Sequence, residues 1–593
     1  MKKRRRQFIY EKREEEKPFT QPKDTFLRIA VFIIILAGLI VYFNTFDNDF
    51  IWDDDLLVIR NEYIRSFRHI IDIFLTDVHR FGNIRSNFYR PTQTLTYMID
   101  YTFWKLNPHG YHITSALIHI LNGALLYITF FSIIYRLRSS QPSKHIARTR
   151  YLALATAVLW VVHPIHTQCV SYISGRADLL ATTFILLTIY SYITARKKYI
   201  TFIFFFFALI SKETSLITPI LLIGYDAICE PQKRYALSNI KPKERYLPFL
   251  IMVVVFIILR CTVIKFPGAP FMEPKVDLYS RFLTNVKAIM ILLGLLCLPL
   301  YLSMTRNIPW EITVFDIKIF TSMVFLFLVI FYAVSQRKKD RLSAFGIMWF
   351  FTAYLPTMNI FPINANVSEH WMYIPSMGFF LIISFLFLDR FLLTWNTKIN
   401  AALVIMLAAF YGYLTIMRNV DWQNEITFYH KTLKDGSNSA RVHYNLGNAY
   451  GLKDMYDEAE KHYRIALDLI PDYPEALSNL GLLYYRRGEV DEAIPLYERA
   501  NGLKGDLVEN HANLGLAYEK KGRYAEAERE FRRTLELNPN HSSALNGLGV
   551  ILGYRGEYEK AAELFRKAFR SDPKNIDAKS NLEQLVKLGK VKQ

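Results

Sequence analysis

The sequence predicts an all-α protein in two parts, a polytopic membrane bundle of about eleven transmembrane helices followed by an α-solenoid of helical repeats. Three observations predict it. Hydrophobic residues make up 52% of the 593-residue chain and aromatics 15%, more than a water-soluble chain keeps off its surface. Nearly uncharged runs, such as residues 30–43 and 323–334, recur up to about residue 418. From residue 440 the chain turns polar and repeats every 34 residues.

The first element is an uncleaved signal anchor. Lys2, Lys3, Arg4, Arg5 and Arg6 hold residues 1–26 in the cytoplasm, and the apolar run that follows is too long for a signal peptide and has no small-residue cleavage site. Residues 47–111 then form an external loop. Arg136, Arg138, Lys144, Arg148 and Arg150 crowd one short internal loop, and Lys233, Arg234, Lys241, Lys243 and Arg245 another. Between them lie apolar stretches near 151–162, 178–195, 199–211 and 214–229. Several fall short of the roughly 20 residues that cross hydrocarbon. Their polar connections, HPIHTQ and SKETS, belong at membrane depth only if they line a cavity or a wet crevice.

Residues 265–314 read as one external segment, with the apolar run 283–304 as an interfacial or re-entrant helix, because a full crossing there would move Arg337, Lys338, Lys339 and Arg341 outside. Spans near 315–335, 342–360, 374–393 and 399–418 complete the count and place the C-terminal tail outside. The net charge of +19 follows this topology; the basic residues are spread through short loops and form no stripe of the kind that binds nucleic acid. Cys169, Cys229, Cys261 and Cys297 sit in or beside apolar segments without metal or redox spacing, and read as small core residues.

The tail keeps a strict register. Gly447, Gly481, Gly515 and Gly549 each follow a leucine, Ala459, Ala493, Ala527 and Ala561 recur in phase, then Tyr463, Tyr497, Phe531 and Phe565, with Pro471, Pro539 and Pro573 closing three units. This is the tetratricopeptide pattern, a helix pair per repeat with small residues where helices approach. Four repeats over 440–575, a lead-in helix within 419–439 and a capping helix over 576–593 would present a groove for an acceptor protein or peptide.

The polar residues able to do chemistry gather where external loops meet the membrane. Asp53, Asp54 and Asp55 follow the first span, and crowded carboxylates repel, which suits a general base or a divalent cation; a solvated acidic loop or helix cap has the same composition. Arg90, His163, His166, Arg176, Asp178, Lys212, Glu213, Glu369 and His370 all map to the same side. Cations beside hydrocarbon suit a lipid phosphate, although interfacial snorkelling or ion pairing would place them there too.

The blocks WDDD, YRPTQTLTYMIDY, LNPHGYHITSALIH, HPIHTQCVSYISGRADLL, SKETS and FPINANVSEHWMYIPSMGF, in this order and followed by the repeats, resemble the transmembrane and tetratricopeptide-repeat O-mannosyltransferases and their bacterial relatives, of the GT-C class. The resemblance implies a GT-C catalytic domain over residues 27–418 and inverting transfer of mannose from a polyprenyl-phosphate carrier to serine or threonine. Asp53 and Asp54 match the family's acidic pair, one of them as base; of the cations noted above, Arg176, Lys212 and His370 are the candidates for the lipid phosphate. Gln168 stands where the family usually has glutamate, and His370 where arginine is common. The setting implied is a bacterial inner membrane or the endoplasmic reticulum, with membrane lipids and a lipid-linked sugar as partners. A membrane-anchored repeat scaffold without catalysis is the alternative.

Overall fold

In the computed structural model, residues 25–77, 88–138, 142–194, 198–229, 242–262, 264, 276–304, 306, 308–359, 367–390, 397–435 and 439–591 are described. The basic N-terminus from Lys2 to Arg6, together with Lys233, Arg234 and Lys241, lies outside them, as do the side chains of Lys144, Cys229 and Lys243. The chain divides into two compact units, Met1–Asn424 and Glu425–Gln593.

The helices of the first unit are α1 (Thr25–Tyr42), α2 (Pro91–Trp104), α3 (Pro108–Leu137), α4 (Pro142–Val161), α5 (Arg176–Thr194), α6 (Lys198–Leu209), α7 (Thr218–Cys229), α8 (Pro242–Cys261), α9 (Leu278–Cys297), α10 (Ile317–Gln336), α11 (Arg341–Tyr354), α12 (Pro375–Phe385) and α13 (Thr397–Asn419). Local chemistry sets several boundaries. Asn107, Asp277 and Asp316 cap α3, α9 and α10 by accepting amide hydrogen bonds at their first turns, and Pro91 and Pro108 occupy first helical positions where no amide partner is needed. The core includes Trp160, Trp349, Phe130 and Tyr354, all essentially buried, whereas α10 shows most of its apolar surface, including Phe327 and Phe331, as a lipid-facing helix does.

The structure corrects the span count and the burial of two cysteines. Among the described residues six helices are long and apolar enough to cross a membrane, seven if the bent pair Ile146–Val161 and Pro164–Val170 is one span, and not eleven. Several apolar runs counted singly fold as helices of 11 to 14 residues, such as α6, α11 and α12, too short to cross alone. The run 283–304, expected to be interfacial or re-entrant, contributes to α9, a 20-residue helix that is by length and composition also able to cross a membrane. Cys169 is a buried core residue as expected, but Cys261 and Cys297 are exposed. Residues 47–111, expected as an external loop, include all of α2 and the start of α3.

The second unit opens with α14 (Glu425–Lys434), followed by the four pairs α15 (Ala440–Gly451) and α16 (Tyr456–Leu469), α17 (Pro474–Arg487) and α18 (Val490–Leu503), α19 (Val508–Lys520) and α20 (Tyr524–Leu537), α21 (Ser542–Tyr554) and α22 (Tyr558–Ser571), and closed by α23 (Ile576–Lys587). The glycine register has a steric cause. A Cβ on Gly515 would lie 2.6 Å from the Phe531 ring, and one on Gly447 2.6 Å from Tyr463, so the phased aromatic of each second helix lies flat on the glycine of the first.

Candidate functional site

The loop after α1 splits the three adjacent aspartates. Trp52 adopts a positive φ of 51°, and Asp54 and Asp55 donate amide hydrogen bonds back to Ile51 and Trp52 at 3.0 and 3.3 Å, so consecutive carboxylates leave the chain in different directions. Asp54 is fully buried; its Oδ1 accepts from the amide and hydroxyl of Ser174 at 2.9 and 2.5 Å, and its Oδ2 from the amide of Ile51 at 3.1 Å. Burial pushes its carboxyl up to about 7 against the lowering effect of these hydrogen bonds. Asp55, half-buried, pairs with the exposed Arg60 at 2.7 Å. Asp53 is half-buried, and its amide donates to the Tyr172 hydroxyl at 3.3 Å. The carboxylates therefore diverge, and among the described residues no three His, Cys, Asp or Glu side chains gather as a metal ion requires.

One stretch, residues 172–178, connects these groups. Tyr172 meets Asp53 and Ser174 meets Asp54, while Arg176, fully buried, donates to Asp100 at 2.5 Å, to the Tyr111 carbonyl at 2.7 Å and to Ser115 at 3.2 Å. Asp178 takes both its bonds from Lys212 Nζ, at 2.6 and 2.7 Å. Gly175 lets this stretch lie against the HPIHTQ segment: a Cβ there would stand 2.6 Å from the Gln168 carbonyl oxygen and 2.8 Å from the Cys169 Cα. Gln93 and Tyr97 of α2 brace it from the other side, donating to the carbonyls of Ser174 and Ile173 at 2.9 and 2.8 Å.

The remaining candidates form two groups. Gln168 Oε1 accepts from the His370 amide at 3.1 Å and from the Ser368 hydroxyl at 3.3 Å, and Ser368 Oγ lies 2.6 Å from His370 Nδ1. Burial, with Lys212 nearby, pushes the His370 imidazole down to about 3, so it is neutral at physiological pH. Glu369 is buried, accepts from the Ser303 amide at 2.6 Å and lies 3.3 Å from Arg306; burial raises its carboxyl to about 7. Arg90, partly exposed, stands 3.8 Å from Glu213 and stacks on Phe88 at 4.6 Å.

His163 and His166 pack among aromatic rings, their turn lying against the turn that carries Glu369 and His370. Both are fully buried at the bend between α4 and the turn Pro164–His166, His163 against Tyr411 and Phe380, and His166 against Trp160 and Tyr373. Sequence reasoning missed Ser174, Asp100, Tyr172 and Ser303. Asp100 alone carried a signal, a carboxylate in the largely apolar helix α2 that calls for a buried cation.

A helical bundle with several membrane-length helices, a polar site at its loop ends and a repeat unit that follows in sequence define a polytopic membrane protein with a tetratricopeptide tail; residues 438–500 and 513–576 match family models described as tetratricopeptide repeat. Over 73–78% of its length the chain is homologous to proteins named protein O-mannosyl-transferases. It is 27% identical over 457 residues to protein O-mannosyl-transferase F38B6.6 of Caenorhabditis elegans, covering 75% of this chain and 63% of that protein. It is 24% identical over 518 residues to TMTC1 of Homo sapiens, covering 76% and 56%. The chain thus spans less than two thirds of the length of these two curated relatives. Among solved structures, the tetratricopeptide protein YrrB, described as having an unusual peptide-binding site, aligns at 27% identity over 31% of this chain and 90% of its own, with a TM-score of 0.24.

Proposed function

We propose that the chain is a membrane glycosyltransferase that moves a sugar, mannose in keeping with the names of its relatives, from a polyprenyl-phosphate carrier to serine or threonine hydroxyls of proteins, with inversion. Asp53 is assigned as the base. It takes the proton of the acceptor hydroxyl as that oxygen bonds to the anomeric carbon, and the bond from this carbon to the lipid phosphate breaks with its electron pair leaving on the phosphate. The observation that carries this assignment is the division of labour between neighbours: Asp54 is buried and committed to Ser174, whereas Asp53 is part-exposed at the same turn.

Arg90 is the cation assigned to the leaving phosphate, being partly exposed and 3.8 Å from its carboxylate partner, while Lys212 is held by Asp178. Arg176 and His370 are assigned to support instead, since one is spent on Asp100 and the other is neutral. The repeat groove is assigned to the acceptor chain, and the reaction to the non-cytoplasmic face of the endoplasmic reticulum or a bacterial inner membrane. The test supplies the purified full chain, in lipid, with either polyprenyl-phosphate mannose or nucleotide-linked mannose and an acceptor protein. Label is expected in protein from the lipid-linked donor alone; transfer only from the nucleotide donor, or from neither, rejects the reading.

A further inference from the structure

In the second unit, three histidines from three helices meet under the first repeat. His443 of α15 and His462 of α16 face each other with Nδ1 atoms 2.9 Å apart and rings stacked at 5.2 Å. His462 also stacks on Tyr450 at 5.7 Å with an interplanar angle of 8°. From α14, His430 places Nε2 2.6 Å from the Tyr450 hydroxyl, with its ring 6.2 Å from that of His462. His443, His462 and Tyr450 are all buried, while α14 buries Phe428, Tyr429 and Thr432.

Two Nδ1 atoms 2.9 Å apart share a single proton: one ring donates and the other accepts, which requires at least one neutral imidazole. We propose that the His443–His462 pair, flanked by His430, is a pH-sensitive latch that holds α14 and the first repeat together near neutral pH and releases them on acidification. A second proton removes the acceptor and sets two cations side by side. Among the described residues, these charged groups lie around the pair. Lys461 of α16 adds positive charge to His462, and Glu458 acts on Tyr450. On α14, Lys431 pairs with Asp435, and the carboxylates Asp457 and Glu460 of α16 are engaged by Arg487 of α17.

Burial, then His443, His430 and Lys461, depress His462 to about 4, and burial lowers His443. Depressed histidines stabilise the fold fully above their unfolded value of about 6.5 and lose that contribution as pH falls toward the folded value. The window is therefore from about pH 6.5 down to about 4.

The test is hydrogen exchange on the full chain in detergent micelles, corrected for intrinsic rates, between about pH 7.5 and about pH 5. Peptides from 425–434 and 440–469 are expected to lose protection by up to about tenfold per pH unit and per histidine relative to peptides from 542–571. His462→Phe, which keeps the stack on Tyr450 without a titrating ring, and His443→Gln are each expected to flatten that dependence. Equal loss across all repeats, or loss in both variants matching the unsubstituted chain, would overturn the latch.

Discussion

Ser174 holds Asp54 by both its amide and its hydroxyl, at 2.9 and 2.5 Å, across 120 residues of sequence. The contact joins the loop after the first span to the stretch that also carries Arg176 and Asp178. Ser174→Ala removes the stronger bond and leaves a buried carboxyl oxygen short of a donor. A loss of about 1–3 kcal/mol in stability is expected, together with reduced transfer, read by thermal unfolding in micelles alongside the transfer assay. Unchanged stability would mean the contact does not hold the loop.

Asp54 and Glu369, both raised to about 7 by burial, give the membrane unit a pH signature. A carboxyl with a raised folded pKa contributes stability that is fully present below its unfolded value of about 4 and is lost as pH climbs through about 7. Each is worth up to about 1.4 kcal/mol per pH unit in that window. His370, depressed to about 3, works in the opposite sense below about 6.5. Comparison of the chain with its Asp54→Asn variant isolates the carboxyl: the difference in unfolding temperature between pH 5 and pH 7.5 is expected to be smaller in the variant.

Arg176 and Asp100 form a fully buried ion pair. Removing one partner strands a charge, so Asp100→Asn and Arg176→Gln are each expected to cost about 3–5 kcal/mol. The double variant Asp100→Leu, Arg176→Met should cost much less than Asp100→Leu and Arg176→Met made singly and summed, as a double-mutant cycle on unfolding would show. Additive losses would mean the two side chains act independently.

In the repeats, Gly515→Ala should destabilise by about 1–3 kcal/mol, because its methyl would strike the Phe531 ring at 2.6 Å. Gly502→Ala, in α18 with nothing within 4 Å of the added Cβ, should instead stabilise by up to about 1 kcal/mol. Denaturant unfolding of the two variants is the check.

The tail was legible because its period is local: each phased glycine meets an aromatic 16 residues on, as Gly515 meets Phe531. Apolar content marked the membrane unit but misled on its count, since runs such as those in α6 and α12 are apolar without being long enough to span. The weight given to the Arg337, Lys338, Lys339 and Arg341 cluster hid α9 as a candidate span. At the site, Asp53, Asp54 and Asp55 were visible as a cluster, but not their separation into exposed and buried roles, which depends on the positive φ of Trp52 and on Ser174. The cations were visible too; their partners Asp100 and Asp178 lie 76 and 34 residues away, and only the fold pairs them.

The most direct test of the central claim is mannose transfer from polyprenyl-phosphate mannose by Asp53→Asn and Asp55→Asn proteins reconstituted side by side with the unsubstituted chain. Asp53→Asn is expected to lose transfer by about 10²–10⁴-fold with an unchanged unfolding temperature, and Asp55→Asn, whose partner Arg60 is exposed, to retain it. Full transfer by Asp53→Asn would contradict the account.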